Sequence, residues 1–227
     1  MLMKSIFKCL TICLLMNACS NPVEKYKIGK IRSVVIIGNS LVHHGSLPAI
    51  GWTNNWGMAA SAKDSDFVHL LMREIHLVDP SVVFRFVNIA DFERHYAGFD
   101  LNTLDSLKDP DMLIMRIAEN VNDTISMEGF ITAYGKLVNY LGSTGKTVKI
   151  ITDSFWENPH INKAIKKYAK ENHFAFIALH DISNDSAYTA KGLFENEGVA
   201  FHPGNKGMRE IAGRIWKSIK VYFPEKN

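Results

Sequence analysis

Past residue 19 the 227-residue sequence contains no cysteine; its three are Cys9, Cys13 and Cys19. The bulk of the chain can therefore form no disulfide, present no thiolate nucleophile and build no cysteine-based metal site. Long blocks of like charge are missing too. The formal net charge is +3, falling to +1 once Lys4 and Lys8 of the N-terminal segment are set aside, which leaves nucleic-acid binding without electrostatic support. The chain also lacks internal repeats, low-complexity tracts and a linker-like composition shift. Its N-terminal apolar run, Cys9 to Met16, has eight residues, against the roughly twenty a membrane-spanning helix needs. Preceded by Lys4 and Lys8, it has the form of a secretory signal. What remains, with 47% hydrophobic residues overall, has the length and composition of one globular domain with a full core.

The end of that signal is specific. Leu15-Met16-Asn17-Ala18-Cys19 resembles the lipobox of bacterial lipoproteins, with Met16 where leucine is commonest. The resemblance implies a signal peptide over 1–18, lipidation of Cys19, a tether over 19–30 and a folded domain over 31–227. Such a chain is held to a membrane through its N-terminal lipid alone, in the bacterial cell envelope. The alternative is an ordinary cleaved signal with incidental cysteines.

Strand-like apolar runs at 33–37, 82–87, 112–117, 148–151 and 174–179 alternate with segments of three- and four-residue apolar spacing at 67–77, 129–141, 161–171 and 206–222. In the third of these, Ile161, Ile165 and Tyr168 share a face, while Lys163, Lys166, Lys167 and Lys170 stay polar. In the last, Met208, Ile211, Ala212, Ile215 and Ile219 form one stripe. Five strands separated by helices predict right-handed crossovers and an α/β three-layer sandwich: a five-stranded parallel sheet with helices on both faces.

Ligands of such sheets bind beyond the carboxyl ends of the strands. Ser40 stands there, after the run Ser33 to Ile37 breaks at Gly38-Asn39. A serine hydroxyl becomes a nucleophile when a neutral imidazole takes its proton, and His202 in Phe201-His202-Pro203-Gly204-Asn205 offers one just before the last helix. Asn120, at the end of the third strand, is a neutral amide donor able to stabilise developing negative charge. Taken singly, Ser40 could equally cap a helix, His202 end a loop and Asn120 satisfy a turn.

Together, Gly38-Asn39-Ser40, Ala118-Glu119-Asn120 and His202-Pro203 resemble, in order and in strand-end placement, the signature blocks of the SGNH (GDSL-type) hydrolases. The likeness spans nearly the whole domain, and the loop from Ile50 to Ser61 is similar to a Bacteroidetes lipoprotein subgroup. It implies the flavodoxin-like SGNH fold, with Ser40 as nucleophile, His202 as general base, and the Ser40 amide and Asn120 side chain as oxyanion donors. The implied reaction is hydrolysis of an acyl ester, acetyl above all and on carbohydrate, needing no cofactor and no metal. The partner is a small-molecule or polysaccharide ester.

The chain departs from that signature at three places. Asn39 replaces the usual aspartate. Val199 stands three residues before the histidine, where the family has the acid that orients it; Glu197, a backbone carbonyl or no group at all would then serve His202. The second block, Asn88 to Glu93, has no glycine to donate a further oxyanion amide.

Residues 41–63 form the longest irregular stretch, and a long loop with two tryptophans is more often functional than disordered. Trp52, Asn55 and Trp56 are its candidate substrate residues, the tryptophans either stacking on sugar rings or anchoring the loop. His43 and His44 lack the carboxylate spacing of a metal shell, and His69 and His76 suit helix packing. Gly142-Ser-Thr-Gly145-Lys146-Thr147 resembles the end of a P-loop but precedes a strand, and is better explained as a helix end. Two other functions stay open: a glycan-binding lipoprotein with a degenerate site, and a lipase or thioesterase for longer acyl chains.

Overall fold

A computed structural model describes residues 30–122 and 126–223. Except for Lys30, the segments expected to be a signal peptide (1–18) and a tether lipidated at Cys19 (19–30) lie outside the described residues. Among them, no helix is long and apolar enough to cross a membrane.

The strands are β1 (Ser33–Gly38), β2 (Val83–Asn88), β3 (Met112–Met115), β4 (Val148–Thr152) and β5 (Ala175–Ile177). They form one sheet in the order β2-β1-β3-β4-β5, with every pairing parallel, the flavodoxin-like order. The helices are α1 (Phe67–Val78), α2 (Ala90–His95), α3 (Met127–Leu141), α4 (Pro159–Glu171), α5 (Glu197–Ala200) and α6 (Asn205–Ile219).

Alternation along the central strands divides the core. Val34 and Ile36 of β1, with Met112 and Ile114 of β3, face α1 and α6. Val35 and Ile37, with Leu113 and Met115, face α3 and α4. Because both faces are covered, β1 from Val34 to Ile37 and β3 throughout are apolar at every position rather than at every second one. The stripe expected on α6 is buried from Met208 to Ile219, and the four lysines of α4 are exposed. Each buried aliphatic side chain contributes about 1.5–3 kcal/mol.

Differences from the sequence reading fall at the strand ends. β3 stops at Met115 and β5 covers only three residues. Beyond β5, the amides of Leu179 and His180 turn to the carboxylate of Asp153 instead of a neighbouring strand. The one-turn helix α5 and the short α2 were not anticipated; six residues or fewer carry too little periodicity to register. Gly142 ends α3, its amide returning to the Val138 carbonyl, so the P-loop-like stretch is a helix end.

Candidate active site

β1 delivers Ser40. Gly38 is required there by close approach: a Cβ would lie 2.0 Å from Val42 Cγ2. The chain then turns, with the Asn39 carbonyl accepting from the amides of Val42 and His43 and Asn39 Oδ1 accepting from Leu41. Ser40 caps no helix. Its Oγ lies 2.8 Å from His202 Nε2, across 162 residues of sequence, and its N–H finds no acceptor among the described residues.

His202 is held from both sides. Its amide donates to Val199 and its carbonyl accepts from Ala190. Nδ1 lies 2.7 Å from the Gly198 carbonyl. That carbonyl is available because α5 lasts one turn: the His202 amide, which a continuing helix would send to Gly198, closes tightly on Val199 instead. Donation from Nδ1 leaves Nε2 as the unprotonated nitrogen facing Ser40. Of the three alternatives for orienting His202, Glu197 is exposed and makes no ion pair or side-chain hydrogen bond among the described residues, and it is a backbone carbonyl that takes the position. Burial pushes the His202 imidazolium down to about 4, against the raising effects of the Gly198 hydrogen bond and the Glu119 carboxylate. The imidazole is therefore neutral at physiological pH, as a general base must be.

The aspartate position is filled for a packing reason. Val199 is fully buried and packs with Trp52, Met58, Ala59 and Ala190. Trp52 is fully buried too, its indole donating to the His44 carbonyl and its ring meeting Trp56 edge-on at 6.0 Å. It has no face for a sugar, and the expectation that it binds substrate is corrected: Trp52 fastens the loop to the segment that carries His202. Trp56 donates to the Ala60 carbonyl and Asn55 is exposed, and neither lines the cleft around Ser40. His44, Ile50 and Met58 of the same loop do, so it overhangs the site as expected.

That cleft has a volume of about 470 Å³. Its aromatic wall is Trp156, in the loop after β4, half-buried and edge-on to His202 at 5.2 Å. A lone tryptophan between apolar runs gave no signal in the sequence.

The Asn120 amide is clamped by two neighbours on α2. Its Oδ1 accepts from Arg94 Nη2 at 2.6 Å, and its Nδ2 donates to Glu93 Oε2 at 2.6 Å. One Nδ2 hydrogen remains for the cleft, whose wall includes Ser40, Asn120 and His202. In the second block, the Ile89 amide is spent on the Gly38 carbonyl and the Ala90 amide on Asn88 Oδ1. No group of three or more metal-ligating side chains exists among the described residues.

No protein-family model matches the sequence, and no curated protein matches it. Solved structures do. The psychrotrophic esterase EstA from Pseudoalteromonas sp. aligns over 84% of this chain and 98% of its own, at TM-score 0.56 and 15% identity. A two-domain esterase active on acetylated mannans aligns at TM-score 0.54 and 18% identity, over 86% of this chain and 50% of its own, so this chain spans half of that protein. A structure from Parabacteroides merdae named for a GDSL-like lipase aligns over 86% and 99%, at TM-score 0.55 and 13% identity. The fold is thus that of the SGNH (GDSL-type) hydrolases, and its solved neighbours include esterases.

Proposed function

We propose that this protein is a serine esterase of the SGNH type. The observation that carries the reading is the 2.8 Å approach of Ser40 Oγ to His202 Nε2 beneath an open cleft. His202 Nε2 takes the hydroxyl proton as Oγ attacks the ester carbonyl carbon. The carbonyl π electrons move to oxygen, and the Ser40 N–H and the second Asn120 Nδ2 hydrogen receive the oxyanion; one such donor is worth about 3 kcal/mol in the transition state. Collapse expels the alkoxide, which takes the proton from His202. Water then repeats the sequence on the acyl-serine, releasing the acid and restoring Ser40.

The substrate is an acylated carbohydrate, with acetyl the group removed. Trp156 supports this by offering an aromatic surface at the cleft beside the base, and the structural neighbour active on acetylated mannans is consistent with it. The lipobox-like sequence supports an exported lipoprotein, tethered through Cys19 to a bacterial envelope membrane.

The test is hydrolysis of p-nitrophenyl acetate by the chain lacking its first nineteen residues. Activity is expected in the parent and a loss of at least about a thousandfold in Ser40→Ala. Undiminished turnover in that variant would remove Ser40 from the mechanism. A series of longer acyl esters separates an acetylesterase from a lipase or thioesterase, and sugar binding without turnover would mark a degenerate, glycan-binding site.

A further inference from the structure

Beneath the oxyanion side of the cleft lies a buried network with two carboxylates and one cation. Glu93 and Arg116 are fully buried, and the Glu119 side chain is 2% exposed. Arg116 Nη1 lies 2.6 Å from Glu119 Oε1, and the Phe155 amide donates to the same oxygen at 2.6 Å. Glu119 is thereby paired with a cation, although its charge is still felt by Glu93. Among the described residues, Glu93 has no cation of its own and is met by amides only: Asn39 Nδ2 at 3.1 and 3.2 Å, Asn120 Nδ2 at 2.6 Å and the Asn120 backbone N–H at 3.4 Å. Asn39 Nδ2 also lies 2.6 Å from Glu119 Oε2. One side-chain amide thus bridges both acids, while its oxygen holds the Ser40 turn through Leu41.

We propose that Glu93 is the positioning residue of the oxyanion amide, fixing Asn120 by accepting from both its side chain and its backbone, and that residue 39 must be an amide here because it is the donor that joins Glu93 and Glu119. The proposal rests on the esterase reading. An aspartate at 39 could still hold the Leu41 amide, but it would donate nothing and would set a third carboxylate between two buried ones. Asparagine is therefore the counterpart of Glu93, and the departure from the usual signature has a local cause.

Glu119 is the charged group that acts on Glu93 directly; Arg116 reaches it through Glu119 and Arg94 through Asn120, while Asp91, His44 and His202 line the cleft on the other side of Asn120. Burial, and then the Glu119 carboxylate, raise the Glu93 carboxyl to about 7, opposed by its hydrogen bonds from Asn120 and Asn39. A proton on Glu93 would point at a shell made of donors and forfeit one accepted bond, loosening Asn120. Activity should therefore fall as pH drops through this region, well above the His202 limb at about 4.

The experiment compares kcat, KM and the pH profile of kcat for p-nitrophenyl acetate in the parent, Glu93→Gln and Asn39→Asp, with thermal melts alongside. Glu93→Gln is expected to lower kcat about ten- to a hundredfold with KM within about twofold, since one misplaced donor costs up to the value of losing it. It should also abolish the limb near neutrality while keeping the lower one. Asn39→Asp should lower kcat at neutral pH despite restoring the commoner family residue. Should Glu93→Gln fail to fold, Glu93→Asp, which keeps the charge and withdraws the acceptor by one methylene, should lose kcat yet retain the neutral limb. A Glu93→Gln enzyme with parental kcat and both limbs, or an Asn39→Asp enzyme as fast as the parent, overturns the proposal. A parent that neither hydrolyses the ester nor reacts at Ser40 with a fluorophosphonate overturns the esterase reading instead.

Discussion

In the proposed esterase, His202 activates the serine with a backbone carbonyl in place of an acid. The Gly198 carbonyl is a neutral acceptor, so it fixes the tautomer and ring orientation but adds no charge to hold the imidazolium formed during attack. Installing the family's aspartate by Val199→Asp should not repair this. Val199 is fully buried against Trp52 and Met58 in an apolar cluster at the cleft wall, and an unpaired carboxylate there is expected to destabilise the protein by about 3 kcal/mol. A denaturant midpoint shifted down, with no gain in kcat, is the expected result; a stable and faster variant would contradict the placement of that side chain. Trp156 is the other decisive residue. Trp156→Ala should raise KM severalfold for an acetylated oligosaccharide and leave kcat for p-nitrophenyl acetate within about threefold. Equal effects on both substrates would assign the indole to support of His202 rather than to sugar.

Among the elements, the 41–63 loop and α2 matter most. The loop is pinned by short antiparallel bridges, His44 with Trp56 and Leu47 with Trp52, and by Gly51 in the left-handed region at φ 74°. Its buried Trp52 abuts the segment that presents His202. Trp52→Ala should therefore cost about 3–5 kcal/mol and lower kcat together with stability, measured by urea unfolding and initial rates. Full activity in a strongly destabilised protein would show that the two loops are uncoupled. α2 has the opposite character. Six residues with acids at its N-terminal turn favour a helix there, yet its contribution lies in which side chains it points inward: Phe92 into the core and Glu93 under Asn120.

For the molecule as a whole, stability should depend on pH through two buried groups of opposite sign. Glu93 keeps its proton in the folded state above its ordinary 4.5, so its contribution is complete below that pH and is lost as pH rises towards about 7. His202 is depressed below its ordinary 6.5, so its contribution is present above that value and is lost as pH falls towards about 4. Between 4.5 and 6.5 the slopes oppose one another. Glu93→Gln removes one, and its unfolding free energy should climb more steeply with pH across that window than the parent's. Parallel curves from denaturant titrations would place Glu93 in water rather than in the core.

The layers of this fold were legible because they follow from periodicity. β-branched runs such as Ser33 to Ile37 and the stripe from Met208 to Ile219 express burial locally, and a parallel sheet with two helical faces is what such alternation can close into. Gly38-Asn39-Ser40, Asn120 and His202 were legible as candidates as well, because they stand in loops beyond the strands or just before the last helix and their order along the chain could align them. Tertiary structure decided the rest. Glu93 carried no signal, Trp52 could stack on sugar or anchor the loop, and Val199 was a departure from the signature, until packing buried the first beneath Asn120 and pressed the other two together. A chain writes down its local preferences residue by residue, whereas the partner of a buried polar group is fixed only when segments distant in sequence arrive together.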